Sequence, residues 1–136
     1  MPKAKYESLW PSKFEAAPGF DMQAFLQVQA KGLQSKFDNA FGVVIEKRVV
    51  ESVFIYNFTI EIPRLDYRYK LFSVRLIGDD FPARVEAPHL PESHRLTTAM
   101  SRPELEQSLK ALFHDPGTAR IVQTLADEGR GRGHAA

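Results

Sequence analysis

Two histidines that lie close together are the side chains most able to do chemistry in this sequence. His89 and His94 share one predicted loop, with Glu92 between them. A metal site needs three or four converging ligands, so this loop would need a further ligand from His114 or Asp115. A metal-dependent or acid-base enzyme is therefore one alternative for the chain. The sequence favours histidines exposed in an ordinary loop.

Other common sources of catalysis are missing from the sequence. The chain has no cysteine, which excludes disulfides, thiolate metal ligands and a cysteine nucleophile. No phosphate-loop, dinucleotide-binding or nucleophile-elbow spacing occurs. The adjacent carboxylates Asp79 and Asp80 follow a glycine and precede a Phe-Pro pair, which is typical of a turn. We therefore predict a non-enzymatic protein without a metal or a cofactor.

A run of basic and aromatic residues indicates a second alternative, an accessory protein that binds nucleic acid. Tyrosines can stack on bases while cations contact phosphates. Such binding depends on a clustered positive field, whereas the formal net charge is only +1 and Glu61 and Asp66 lie near the run. The sequence favours a hairpin whose tyrosines brace the strand ends, and a nucleic-acid partner is not favoured. The candidate contact residues are Arg64, Tyr67, Arg68, Tyr69 and Lys70.

The spacing of apolar residues predicts the elements that position these side chains. Residues 21–37 have the periodicity of a helix, with Asp21 as its N-cap. Alternating or β-branched residues predict strands at 43–50, 53–62 and 69–77, with a short fourth strand at 83–87. After an irregular connection, Ser101 and Asp115 each stand where a helix begins, because each is followed closely by a proline.

This order of elements predicts one α+β domain. We expect a two-layer sandwich with an N-terminal helix, a three- to four-stranded antiparallel meander and two C-terminal helices. Residues 21–128 form the predicted domain, 1–20 an irregular aromatic arm, and 129–136 a disordered tail. No apolar run approaches the roughly 20 residues of a membrane helix, and no secretory signal is recognisable. We therefore expect a cytoplasmic protein that does not bind membranes.

One face of the predicted sheet is apolar and the other is mixed. If Phe58 and Phe72 share the apolar face, strict alternation places Tyr69 and Leu71 on the mixed face. No element is assigned to cover that face, so the mixed face and the N-terminal arm are the predicted surface for a protein partner or for a second copy of the chain. We expect a homo-oligomer. The candidate partner-binding residues are Trp10, Phe14, Ile55, Asn57, Thr59, Leu71, Ser73 and Arg75.

Aromatic, β-branched and proline residues recur in a fixed order through residues 53–88. The members of this set are Phe58, Thr59, Ile60, Pro63, Tyr67, Phe72, Val74, Phe81, Pro82 and Pro88. With a helix before it, this order resembles the strand meander of the ubiquitin-conjugating-enzyme and RWD superfamily. The family's catalytic cysteine has no counterpart here, and His89 is followed by Leu90 instead of the usual Pro-Asn. The resemblance thus implies a non-catalytic, protein-binding member.

Overall fold

The computed structural model describes residues 21–77 and 80–131. The predicted aromatic arm, with Trp10 and Phe14, lies outside the described residues, as do Asp79 and residues 132–136. The elements are α1 (Met22–Lys36), β1 (Gly42–Val50), β2 (Val53–Ile62), β3 (Tyr67–Ile77), β4 (Asp80–Glu86), β5 (Leu96–Ala99), α2 (Arg102–Phe113) and α3 (Pro116–Arg130). None of the helices in this part of the chain is long and apolar enough to cross a membrane.

The strands form an antiparallel sheet in the order β1-β2-β3-β4-β5. The predicted α+β class, with a helix before the meander and two helices after it, is confirmed. The predicted strand count of three to four was too low, because the described residues include five strands. The missed strand is β5, whose sequence is Leu-Thr-Thr-Ala. A segment so short, with two threonines at its centre, lacks the apolar alternation by which strands are recognised.

Side-chain caps set where the helices begin, as predicted. Asp21, Ser101 and Asp115 each accept a hydrogen bond from a backbone N–H two or three residues later. These bonds satisfy N–H groups that have no partner within the helix. At the other end of α3, Gly131 has a φ of 80° and caps the helix. The helix continues through Arg130, two residues beyond the predicted end of the domain at residue 128.

The core lies between the helices and one face of the sheet. Phe58 and Phe72 stack at its centre with their ring centroids 4.7 Å apart. Phe113 at the end of α2 lies against both rings, at 6.4 and 5.8 Å. Buried residues of α1 and α3, including Leu26 and Val122, belong to the same cluster. We call this side of the sheet the core face and the opposite side the outer face.

Candidate protein-binding interface

Three arginines line up across the outer face of the sheet. Strand pairing places Arg48 opposite Ile55, Ile55 opposite Arg75, Arg75 opposite Arg84, and Arg84 opposite Thr98. We call these five residues the arginine row. The three arginine side chains are exposed. The row therefore places positive charge on β1, β3 and β4.

Arg75 and Arg84 are direct cross-strand neighbours within this row. Side chains in such positions have Cβ atoms about 5 Å apart, and like charges placed there destabilise a sheet. Among the ion pairs of the described residues, none involves either arginine. Guanidinium groups bind carboxylates in a bidentate manner, so this pair is a candidate contact for a carboxylate.

The rows on either side of the arginines differ from each other. On one side lie Val50, Val53 and Ile77, which pair across β1, β2 and β3. Ile77 is 71% exposed and Val50 is 46% exposed. The row on the other side contains Glu46, Asn57, Ser73, Glu86 and Leu96. The outer face thus combines cations, carboxylates and exposed apolar groups, and it does not carry a uniform positive field.

The predicted partner-binding residues of the sheet divide into exposed and buried sets. Arg75 is exposed, and Ile55 and Asn57 are half-buried. The expectation that Thr59 and Ser73 are exposed is wrong, since these side chains retain only 4% and 2% of their accessible surface. The hydroxyl of Thr59 donates to Oε1 of Glu46 at 3.3 Å, which engages it within the sheet. Only part of the predicted surface is therefore available to a partner.

A β-bulge in β3 changes the orientation predicted for Tyr69 and Leu71. Phe58 pairs with Phe72, but the next residue of β2 pairs with Lys70, which leaves Leu71 as the extra residue. Leu71 is 1% exposed, so it is not part of an open surface. The extra residue shifts the alternation by one position, and Tyr69 therefore packs against the core. The prediction that both residues lie on the mixed face is wrong.

Two cations of the candidate nucleic-acid contact are engaged within the chain. Arg68 forms ion pairs with Glu61 at 2.7 Å and with Glu46 at 3.2 Å. The hydrogen bond to Glu61 and the charge of both carboxylates raise the pKa of Arg68 above its ordinary value. Arg64 donates to the backbone carbonyl of Glu128, near the end of α3. Both side chains therefore stabilise the fold.

Within β3, the basic and aromatic members of the same run point to opposite faces of the sheet. Tyr67 and Tyr69 lie across from residues of the core face, whereas Arg68 and Lys70 lie across from residues of the outer face. Tyr67 is 43% exposed, and Lys70 is exposed on the other side. Arg68 and Lys70 thus lie on the opposite side of the sheet from the two tyrosine rings.

The histidines considered as metal ligands do not converge. His89 Nε2 lies 2.6 Å from the hydroxyl oxygen of Thr118, and His94 Nδ1 lies 3.1 Å from the hydroxyl oxygen of its neighbour Ser93. His114 donates from Nδ1 to a backbone carbonyl of α2 at 2.7 Å. Within residues 21–77 and 80–131, no three His, Cys, Asp or Glu side chains come together as a metal site.

His94 and Asp115 do line one cleft of about 470 Å³, between β4, β5 and α2. The Asp115 carboxylate caps α3, where one of its oxygens accepts two backbone N–H groups. His94 is exposed. Both groups therefore line the cleft, but each is engaged elsewhere or exposed and they form no hydrogen bond with each other.

His89 should make the stability of the protein depend on pH. Burial lowers the pKa of its ring below the ordinary value. The charge of Asp115 and the nearby backbone of Leu71 oppose this shift, although the Leu71 backbone lies outside hydrogen-bond geometry. The unfolded chain then binds the proton more tightly, so the free energy of unfolding falls as the pH drops below about 6.5. We expect the urea midpoint to fall less between about pH 7.5 and about pH 5.5 in His89→Gln than in the wild type. The exposed His94→Gln should behave like the wild type, and an unchanged pH dependence in His89→Gln would contradict the assignment.

The resemblance of residues 53–88 to the ubiquitin-conjugating-enzyme and RWD superfamily stays a prediction. The structure supplies the meander and the helix before it, which many α+β folds share. Comparison of the chain with protein-family models, curated proteins and solved structures finds no match.

Proposed function

We propose that this chain is a non-enzymatic protein-interaction domain whose outer sheet face binds an acidic segment of a protein partner. The observation that carries the proposal is the opposed pair Arg75 and Arg84, which is exposed and has no ion pair among the described residues. A carboxylate placed between the two guanidinium groups would form charge-assisted hydrogen bonds and relieve their mutual repulsion.

The neighbouring rows favour a protein segment over a phosphate polymer. Glu46 and Glu86 lie one row away and would repel a continuous line of phosphates. Ile77, exposed on the opposite side of the arginines, would contact an apolar side chain. A segment in which carboxylates alternate with apolar residues meets both requirements. The predicted aromatic arm, with Trp10 and Phe14, is a second proposed contact for the same partner.

A labelled peptide of alternating glutamate and leucine residues tests this function by fluorescence anisotropy. We expect salt-sensitive binding by the wild-type chain, and a loss of affinity of roughly 100-fold in the double variant Arg75→Gln/Arg84→Gln. This figure corresponds to about tenfold for each arginine, near the lower end for hydrogen bonds to charged groups.

The control is the double variant Lys110→Gln/Arg120→Gln, which removes the same charge from exposed positions of α2 and α3. This control should bind the peptide as tightly as the wild type does when both are measured at the same salt concentration. Equal losses in the two double variants would show non-specific attraction, and no binding by the wild type at low salt would reject the acidic segment as the partner.

A further inference from the structure

The strand β1 forms one edge of the described sheet. It is nine residues long and pairs with β2 alone. Its last four residues are exposed, and these include Val49 at 54%. An edge strand of this length presents unpaired backbone groups, to which another strand can add.

The structure identifies which backbone groups lie at the open edge. The N–H of Val43 donates to the side-chain oxygen of Gln34 at 2.7 Å instead of to β2. In an antiparallel pair, the N–H and C=O of one residue point to the same side, and successive residues alternate. Ile45, Lys47 and Val49 therefore direct their backbone groups away from β2. Gln34 closes one end of this edge, and the described residues place no strand beside the remainder.

We propose that two copies of the chain associate through antiparallel pairing of their β1 strands, with Lys47 of one copy opposite Lys47 of the other. In this register Glu46 of each copy lies opposite Arg48 of the other, on the outer face. These two pairs are of the non-hydrogen-bonded kind, in which cross-strand side chains come closest. Ile45 and Val49 also lie opposite each other on the core face. The two sheets thereby become one continuous sheet.

The charges of β1 select this register over its neighbours. A two-fold axis at Glu46 or at Arg48 would place like charges opposite each other. A two-fold axis at Ile45 or at Val49 would leave Glu46 and Arg48 without a partner of opposite charge. Charges on an edge strand often prevent pairing. In the register centred on Lys47, however, Glu46 of each copy attracts Arg48 of the other.

The central lysines do not oppose this arrangement. The Lys47 ammonium lies 4.6 Å from the centroid of the Phe54 ring and 5.5 Å from that of Tyr56, both on its own β2. These cation–π contacts draw the charge away from the edge. The Glu46 carboxylate already contacts Arg68, at 3.2 Å, and retains lone pairs for a second guanidinium.

This association is separate from the proposed function. It uses Arg48 at the edge of the sheet and leaves Arg75 and Arg84 free on the outer face. A chain that failed to dimerise would therefore still bind the peptide. The experiments can thus distinguish a failure of dimerisation from a failure of the proposed function.

Charge reversal tests the register through molar mass, measured by light scattering at several concentrations of the full chain. The wild type should be a dimer in equilibrium with a monomer. Arg48→Glu alone places carboxylates opposite each other, and Glu46→Arg alone places guanidinium groups opposite each other. Each variant should weaken self-association about 100-fold or more, since juxtaposed like charges cost several kcal/mol. An equimolar mixture of the two should form a heterodimer in which both pairs are of opposite sign, and the double variant should recover the homodimer.

A proline at Val49 tests the edge itself. Its N–H points away from β2, so Val49→Pro removes a donor from the edge and none from the ladder within the chain. We expect a folded monomer by circular dichroism and light scattering, whereas Val49→Ala should retain the dimer. A wild type that is monomeric at every concentration would overturn the proposal. So would a mixture of the charge variants that forms no heterodimer, and so would a Val49→Pro variant that still dimerises.

Discussion

Phe72→Ala should destabilise the protein by about 3–5 kcal/mol, the usual cost of removing a buried phenyl ring. Phe72 has no accessible surface and stacks on Phe58 at 4.7 Å. It also contacts Phe113, so the same ring joins β2, β3 and the end of α2. Its loss would leave a cavity where the sheet meets the helices.

Equilibrium unfolding in urea measures this effect, with Ile77→Ala as the matched control on the same strand. Ile77 is 71% exposed, so its truncation should change the free energy of unfolding by less than about 0.5 kcal/mol. If the two variants lost similar amounts of stability, Phe72 would not lie at the centre of the core.

Two glycines within helices should respond in opposite directions to the same change. A β-carbon on Gly129 would lie 1.9 Å from the backbone oxygen of Ala40, so α3 or the turn before β1 must move. We expect Gly129→Ala to cost about 2–3 kcal/mol, as overpacking of a rigid contact does. A β-carbon on Gly32 in α1 would have no atom within 4 Å. Gly32→Ala should therefore stabilise the protein by about 1 kcal/mol through helix propensity.

Thermal and urea unfolding of both variants measure these two changes in stability. Because the substitution is identical, an intrinsic preference for alanine in helices would raise stability in both. A gain in Gly129→Ala would show that α3 does not approach Ala40 so closely.

The parts of the fold that depend on local chemistry could be predicted from the sequence. The N-caps Asp21, Ser101 and Asp115 act within three residues of themselves, and all three are confirmed. The strand β2 begins and ends where its alternation and Pro63 indicate. The strand β5 could not be recognised, because its pairing with β4 rather than its own sequence makes it a strand.

The β-bulge in β3 explains why the predicted orientations of Tyr69 and Leu71 were wrong. Nothing in the residues around Leu71 marks an insertion, since each of them also suits a regular strand. The misplacement of Tyr69 and Leu71 followed from assuming strict alternation through this point.

The arginine row was only partly visible in the sequence. Arg75 was among the predicted partner-binding residues, but strand register is what places Arg84 directly opposite it and Arg48 in the same row beyond Ile55. Each stands at an outward position of a predicted strand, and a search for like charges at such positions would have found the row once the register was known.

A titration followed by nuclear magnetic resonance would show whether the outer face binds an acidic segment. Uniformly nitrogen-15-labelled chain would be titrated with the glutamate–leucine peptide, and the amide shifts of each residue recorded. Binding at the arginine row should move the amides of Arg75, Ile77 and Arg84 and leave those of α2 unchanged. Shifts confined to the helices, or no shifts at low salt, would show that the outer face does not bind this peptide.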